Sequence, residues 1–95
     1  MNKNVEMIKK KINPLLKKNE IKKAAIFGSY AVGLNTKTSD VDILVELNDG
    51  FGLFEFSGLK LDLEKILKKK VDLVEYKAIR PELRQSILQN QVRIV

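Results

Sequence analysis

Two segments of this 95-residue chain constrain its fold more than any other feature: Val41 to Leu47 (VDILVEL) and Val71 to Tyr76 (VDLVEY). Both are short runs of β-branched and aliphatic residues and read as buried strands. Between them Leu53, Phe56, Leu59, Leu63, Ile66 and Leu67 recur at helical spacing across Phe54 to Lys69. The pattern predicts a whole helix there, weakened by about 1 kcal/mol at Gly58 relative to alanine. A crossover that contains a helix suits parallel pairing of the two strands. Parallel pairing would set Asp42 and Asp72, each second in its strand, at the same end of adjacent strands.

The remaining segments fill out a small α/β fold. Val5, Ile8, Ile12, Leu15 and Leu16 mark an apolar helix stripe, with a break or kink expected at Asn13-Pro14 because an internal proline removes a backbone bond. Ala24 to Phe27 is a short apolar run that ends in Gly28 and Ser29, a strand followed by a turn or helix start. Residues 33–39 (GLNTKTS) have loop chemistry. Pro81 suits the first position of a last helix with Leu83, Ile87 and Leu88 facing inward, and Val92 to Val95 reads as a terminal edge strand. Phe51, Phe54 and Phe56, on or beside a helix stripe, are expected in the core. The expectation is one α/β domain over residues 1–95, a small mixed β-sheet backed by helices.

Composition narrows the chemistry. The chain has no cysteine and no histidine, which removes disulfides, thiolate chemistry, zinc sites and imidazole bases. Catalysis would have to use carboxylates, hydroxyls, lysine or arginine, with an oxygen-loving metal. No uninterrupted apolar segment of a signal peptide occurs near the N-terminus, and no run approaches the roughly 20 apolar residues of a membrane span. A cytoplasmic protein without membrane partners is expected.

Net charge is +6 and segregated: residues 1–23 carry eight Lys against two Glu, residues 24–66 three Lys against seven acids, and residues 67–95 seven bases against three acids. Lys9 to Lys11, Lys17, Lys18, Lys22 and Lys23 could serve a nucleic-acid binder. They fall largely on the polar sides of amphipathic helices, however, where a solvated face explains them, and no nucleic-acid-reading motif accompanies them. Nucleic acid is therefore not the expected partner.

The acidic middle is where the chemistry concentrates. Asp40 and Asp42 alternate along a strand and so point to one face, about 7 Å apart along the backbone. With Asp72 beside them, three carboxylates would gather where an apolar strand face is normally buried. Each like-charge pair at 4 Å would cost up to about 4 kcal/mol at an effective dielectric near 20, less where solvent reaches it. Such a cluster calls for hard divalent cations, above all Mg²⁺. Gly28 and Ser29 supply the complement: close backbone approach, free N–H groups at a turn, and a hydroxyl for phosphate oxygens. Gly28-Ser29 alone would be a plain turn. Paired with the aspartates it forms a phosphoryl- or nucleotidyl-transfer arrangement.

Gly28-Ser29, ten residues, Asp40-Val41-Asp42, and then Asp72 within Lys70-Val71-Asp72-Leu73-Val74, resembles the minimal nucleotidyltransferases of the DNA polymerase β superfamily. The lead-in Ile26-Phe27-Gly28-Ser29-Tyr30-Ala31 and the Leu83 to Ile94 tail fit as well, so the resemblance covers roughly residues 20–95. Members are often antitoxin partners of HEPN-domain toxins. The resemblance implies a Mg²⁺-dependent transfer of AMP from ATP to a hydroxyl, expected to be a tyrosine, of such a toxin. It also implies roles: Asp40 and Asp42 bridging two Mg²⁺ ions, Asp72 ligating metal at the nucleophile and assisting its deprotonation, and Gly28 and Ser29 holding the nucleoside triphosphate. Val32 departs from the pattern, standing where relatives commonly carry Arg, and Lys37 is the nearest substitute for that charge. Two alternatives go with the reading: an antitoxin that neutralises its toxin by binding alone, and an adenylyltransferase acting on a small molecule.

Overall fold

In the computed structural model, which describes residues 3–95, the two aspartate-bearing strands lie side by side and parallel, as their spacing implies. The elements in chain order are α1 (Lys3–Lys18), β1 (Lys23–Phe27), α2 (Gly28–Val32), β2 (Val41–Glu46), α3 (Leu53–Leu67), β3 (Val71–Glu75), a 3₁₀ turn (Tyr76–Ala78), α4 (Pro81–Asn90) and β4 (Val92–Arg93). The four strands form one mixed sheet in the order β3-β2-β1-β4, with β1 antiparallel to both neighbours. The terminal strand does take the edge, where Ile94 N–H also donates to the Ala24 carbonyl at 2.9 Å.

Strand alternation splits the molecule into two layers. Ala24 and Ile26 of β1, Val41, Ile43 and Val45 of β2 and Val71 and Leu73 of β3 face α1 and α3. They pack with Val5, Ile8, Ile12 and Leu16 of α1 and Leu59, Leu63 and Leu67 of α3. Each large aliphatic side chain buried here stabilises the fold by roughly 1.5–3 kcal/mol. Glu64 ties the α3–β3 crossover, its Oε2 accepting the Val71 N–H at 3.0 Å. The opposite sheet face carries a smaller cluster of Ala25, Leu44, Tyr76 and Ile79, joined by half-buried Ile87 and Leu88 of α4.

Several expectations need correction. α1 runs unbroken through Pro14. Pro14 is exposed, as is Lys10, whose carbonyl loses its intrahelical donor and faces water instead. Leu53 and Phe54 are 82% and 89% exposed, and Ile66 is 36% exposed. The buried stripe of α3 is Leu59, Leu63 and Leu67, spaced four apart; at 3.6 residues per turn Phe54 falls about half a turn from Leu63, so it cannot join the core. Phe51 and Phe56 do pack against the core while remaining partly exposed. Leu83 is 49% exposed rather than inward. The first turns of α4 stand clear of the sheet, held by Arg84, whose Nη1 donates to the Tyr76 carbonyl at 3.1 Å. Among the described residues no helix is long and apolar enough to cross a membrane.

Candidate active site

The carboxylates lie on the thinly covered face. In β2 the odd-numbered Val41, Ile43 and Val45 face α1 and α3, so Asp42 projects to the other side. The β2–β3 register pairs Asp42 with Asp72, and the β1–β2 register pairs Asp42 with Phe27, the residue before Gly28. Three elements therefore meet at one corner: the end of β1 and the starts of β2 and β3.

Gly28 is shaped to that corner. Its φ of +70° lies in the left-handed region, and a Cβ added there would collide with the Asp42 carboxylate. Only glycine lets the turn approach the acid this closely. Ser29 follows as a half-buried residue of α2, its carbonyl accepting the Leu34 N–H at 2.9 Å and closing the loop behind it. Tyr30, which could have flanked the site, packs instead into the larger core at 4% exposure.

Asp40 sits exposed just before β2, at the end of a loop that organises itself. The Thr36 N–H donates to Ser39 Oγ at 2.8 Å, the Ser39 N–H returns to the Thr36 carbonyl at 3.2 Å, and the Val41 N–H donates to the Lys70 carbonyl at 2.9 Å. Asp72 is exposed and Asp42 half-buried. Burial, then the charge of Asp72, then that of Asp40, push the Asp42 carboxyl up from 3.8 to about 6. The three acids thus share a field, although among the described residues no three acidic side chains close into a ready metal cage. Hard oxygen donors under mutual repulsion are the kind of donor set that a Mg²⁺ ion would relieve.

One cleft flanks this corner, lined by Phe27, Gly28, Val32, Ser86, Ile87 and Asn90 between α2 and α4 on the carboxylate side. Ser86 and Asn90 were invisible as site residues from sequence. Their i, i+4 spacing puts them on one helix face, but only the docking of α4 beside α2 brings that face to Gly28. Val32 is 48% exposed and offers this cleft no charge. Lys37 does not replace it there; it lines a different cleft, on the other side of the sheet, with Tyr30 and Lys69, and its carbonyl accepts from Lys69 Nζ at 3.0 Å.

Residues 10–95 match the family model "Polymerase beta, Nucleotidyltransferase". A Methanocaldococcus jannaschii protein, provisionally named a protein adenylyltransferase, is 45% identical over 92 residues, covering 97% of this chain and 99% of the relative. A solved toxin–antitoxin structure with AMP-PNP superposes with a TM-score of 0.78 at 28% identity, covering 92% of this chain and 72% of that one. Another, a tri-AMPylated Shewanella oneidensis HEPN toxin in complex with an MNT antitoxin, gives a TM-score of 0.72 at 25% identity, covering 95% of this chain and 71% of that one. On the match over residues 10–95 and the 45% identity across nearly the whole chain, this chain belongs to the polymerase β nucleotidyltransferase family, and it is a nucleotidyltransferase.

Proposed function

We propose that this chain is the antitoxin of a HEPN-domain toxin and acts by transferring AMP from ATP to a hydroxyl of that toxin, expected to be a tyrosine, in the cytoplasm. The observation that carries the reading is the Asp42–Asp72 register with Gly28 pressed against Asp42. It joins a carboxylate pair to a turn that can hold phosphate. The relatives support the acceptor class: one solved neighbour is an MNT antitoxin with an AMPylated HEPN toxin.

In this mechanism Gly28 and Ser29 bind the triphosphate through backbone N–H groups and the Ser29 hydroxyl. Asp40, Asp42 and Asp72 would hold Mg²⁺. When bound, the metal neutralises phosphate charge and lowers the pKa of the acceptor hydroxyl. Asp72, the exposed acid of the β2–β3 pair, orients that hydroxyl and assists removal of its proton. The acceptor oxygen bonds to the α-phosphorus, the bond from that phosphorus to the α,β-bridging oxygen breaks, and pyrophosphate leaves. Donor turn, carboxylates and core occupy most of the chain, so positioning of the acceptor falls to the bound partner.

The test is to incubate the protein with ATP, Mg²⁺ and the product of the adjacent gene, then weigh the intact partner. Transfer predicts added mass of one or more AMP units, lost with Asp40→Ala. A tightly bound, inhibited but unmodified partner would overturn the enzymatic reading in favour of masking. Efficient adenylylation of a free small molecule would place the chain with small-molecule-modifying relatives.

A further inference from the structure

On the sheet side opposite the carboxylates, two adjoining clefts share Asn4, Tyr30 and Lys69 in their linings and form one continuous depression between α1, the 33–40 loop and the α3–β3 turn. Its floor is aliphatic, made of Ile8, Val41 and Leu67, with Met7, 52% exposed, at the mouth. Its rim is cationic, with Lys11, Lys37 and Lys69 contributed by three different elements. Among the described residues the only ion pair is Lys77–Glu75, so the chain itself neutralises none of these three lysines. Lys69 spends one donor on the Lys37 carbonyl at 3.0 Å, which holds the two cations on the same rim.

We infer that this depression is a docking surface for an acidic polypeptide segment with aliphatic anchors. Charge complementarity supplies the sign: unpaired lysines around an apolar floor favour a partner with carboxylates flanking leucine-like side chains. The floor argues against nucleic acid, because single strands are held by exposed aromatic faces, and the one aromatic here, Tyr30, is 4% exposed. It argues equally against a bare phosphate, which would gain nothing from Met7, Ile8 and Leu67. Met7, long and unbranched, suits an adaptable apolar contact.

The probe is a short fluorescein-labelled peptide in which leucines alternate with glutamates, titrated by anisotropy. Saturable binding is expected, weakened at least tenfold when the glutamates become glutamines and at least tenfold in the triple variant Lys11→Glu, Lys37→Glu, Lys69→Glu. Because Lys69 also pins the loop, Met7→Asp serves as a second variant that alters no loop hydrogen bond, and it should weaken binding as well. ATP-dependent thermal stabilisation, read on the same variants, should be unchanged, which separates this surface from the nucleotide site. Absence of saturable peptide binding, equal binding by the charge-reversed or Met7→Asp protein, or tighter binding of an oligouridylate that the same substitutions abolish would each overturn the inference.

Discussion

The two faces of the sheet differ in what they bury. Among the described residues, seventeen buried side chains form the cluster beneath α1 and α3, against four beneath α4. No residue of α4 is fully buried. The first face holds the fold together; the second leaves three carboxylates within reach of solvent and of one another. A protein that placed Asp42 on the first face would bury an unpaired charge at a cost of several kcal/mol. On the second face the repulsion is tolerable because the core beneath α1 and α3 carries the stability.

The largest expected effect tests the second face. Asp42→Asn should lower AMP transfer by about 10³-fold or more, roughly 4 kcal/mol in the barrier, while circular dichroism stays native. Loss of fold would mean that Asp42 is structural and that the division between faces is wrong. Next comes a paired measurement by urea unfolding. Leu63→Ala, at full burial on the first face, should cost about 2–5 kcal/mol. Ile87→Ala, half-buried on the second, should cost about 1 kcal/mol, scaled down with its partial burial. Comparable losses would erase the contrast.

A smaller effect concerns pH. The folded Asp42 titrates at about 6 against an ordinary value of 3.8, so the native state holds this proton more tightly than the unfolded chain does. Its contribution to stability is fully present below about pH 4 and is lost as pH rises through about 6. In metal-free buffer the melting temperature of the Asp42→Asn protein should therefore gain on the parent across that window. A constant gap between the two curves would show that Asp42 is not strained by its neighbours. The smallest effect is expected at Phe54, 89% exposed: Phe54→Ser should leave stability within about 0.5 kcal/mol. A larger loss would mean that Phe54 packs in solution.

The helix and strand spans were readable where periodicity was strong, and the parallel register followed from the length of the crossover that joins β2 to β3. The errors fell where local pattern meets packing. Helical spacing set Leu53 and Leu83 on an inward stripe and Phe54 on or beside one, yet which stripe of a helix meets the core depends on how the helix is set against its neighbours. Pro14 looked like a break, and exposure made it harmless.

Read along the chain, Gly28, Ser29 and the three aspartates already stand out as candidate site residues, because they occupy positions tied to strand ends and alternation within a strand settles which side chains share a face. Their surroundings come from packing. That Gly28 presses on Asp42, that Ser86 and Asn90 line the cleft beside it, and that Lys37 lies with Lys69 instead of beside Gly28 all depend on contacts between segments far apart in the chain. Local propensity carries no information about those distances, because they are set by how helices and loops pack on a sheet whose two faces bury unequal amounts of apolar surface.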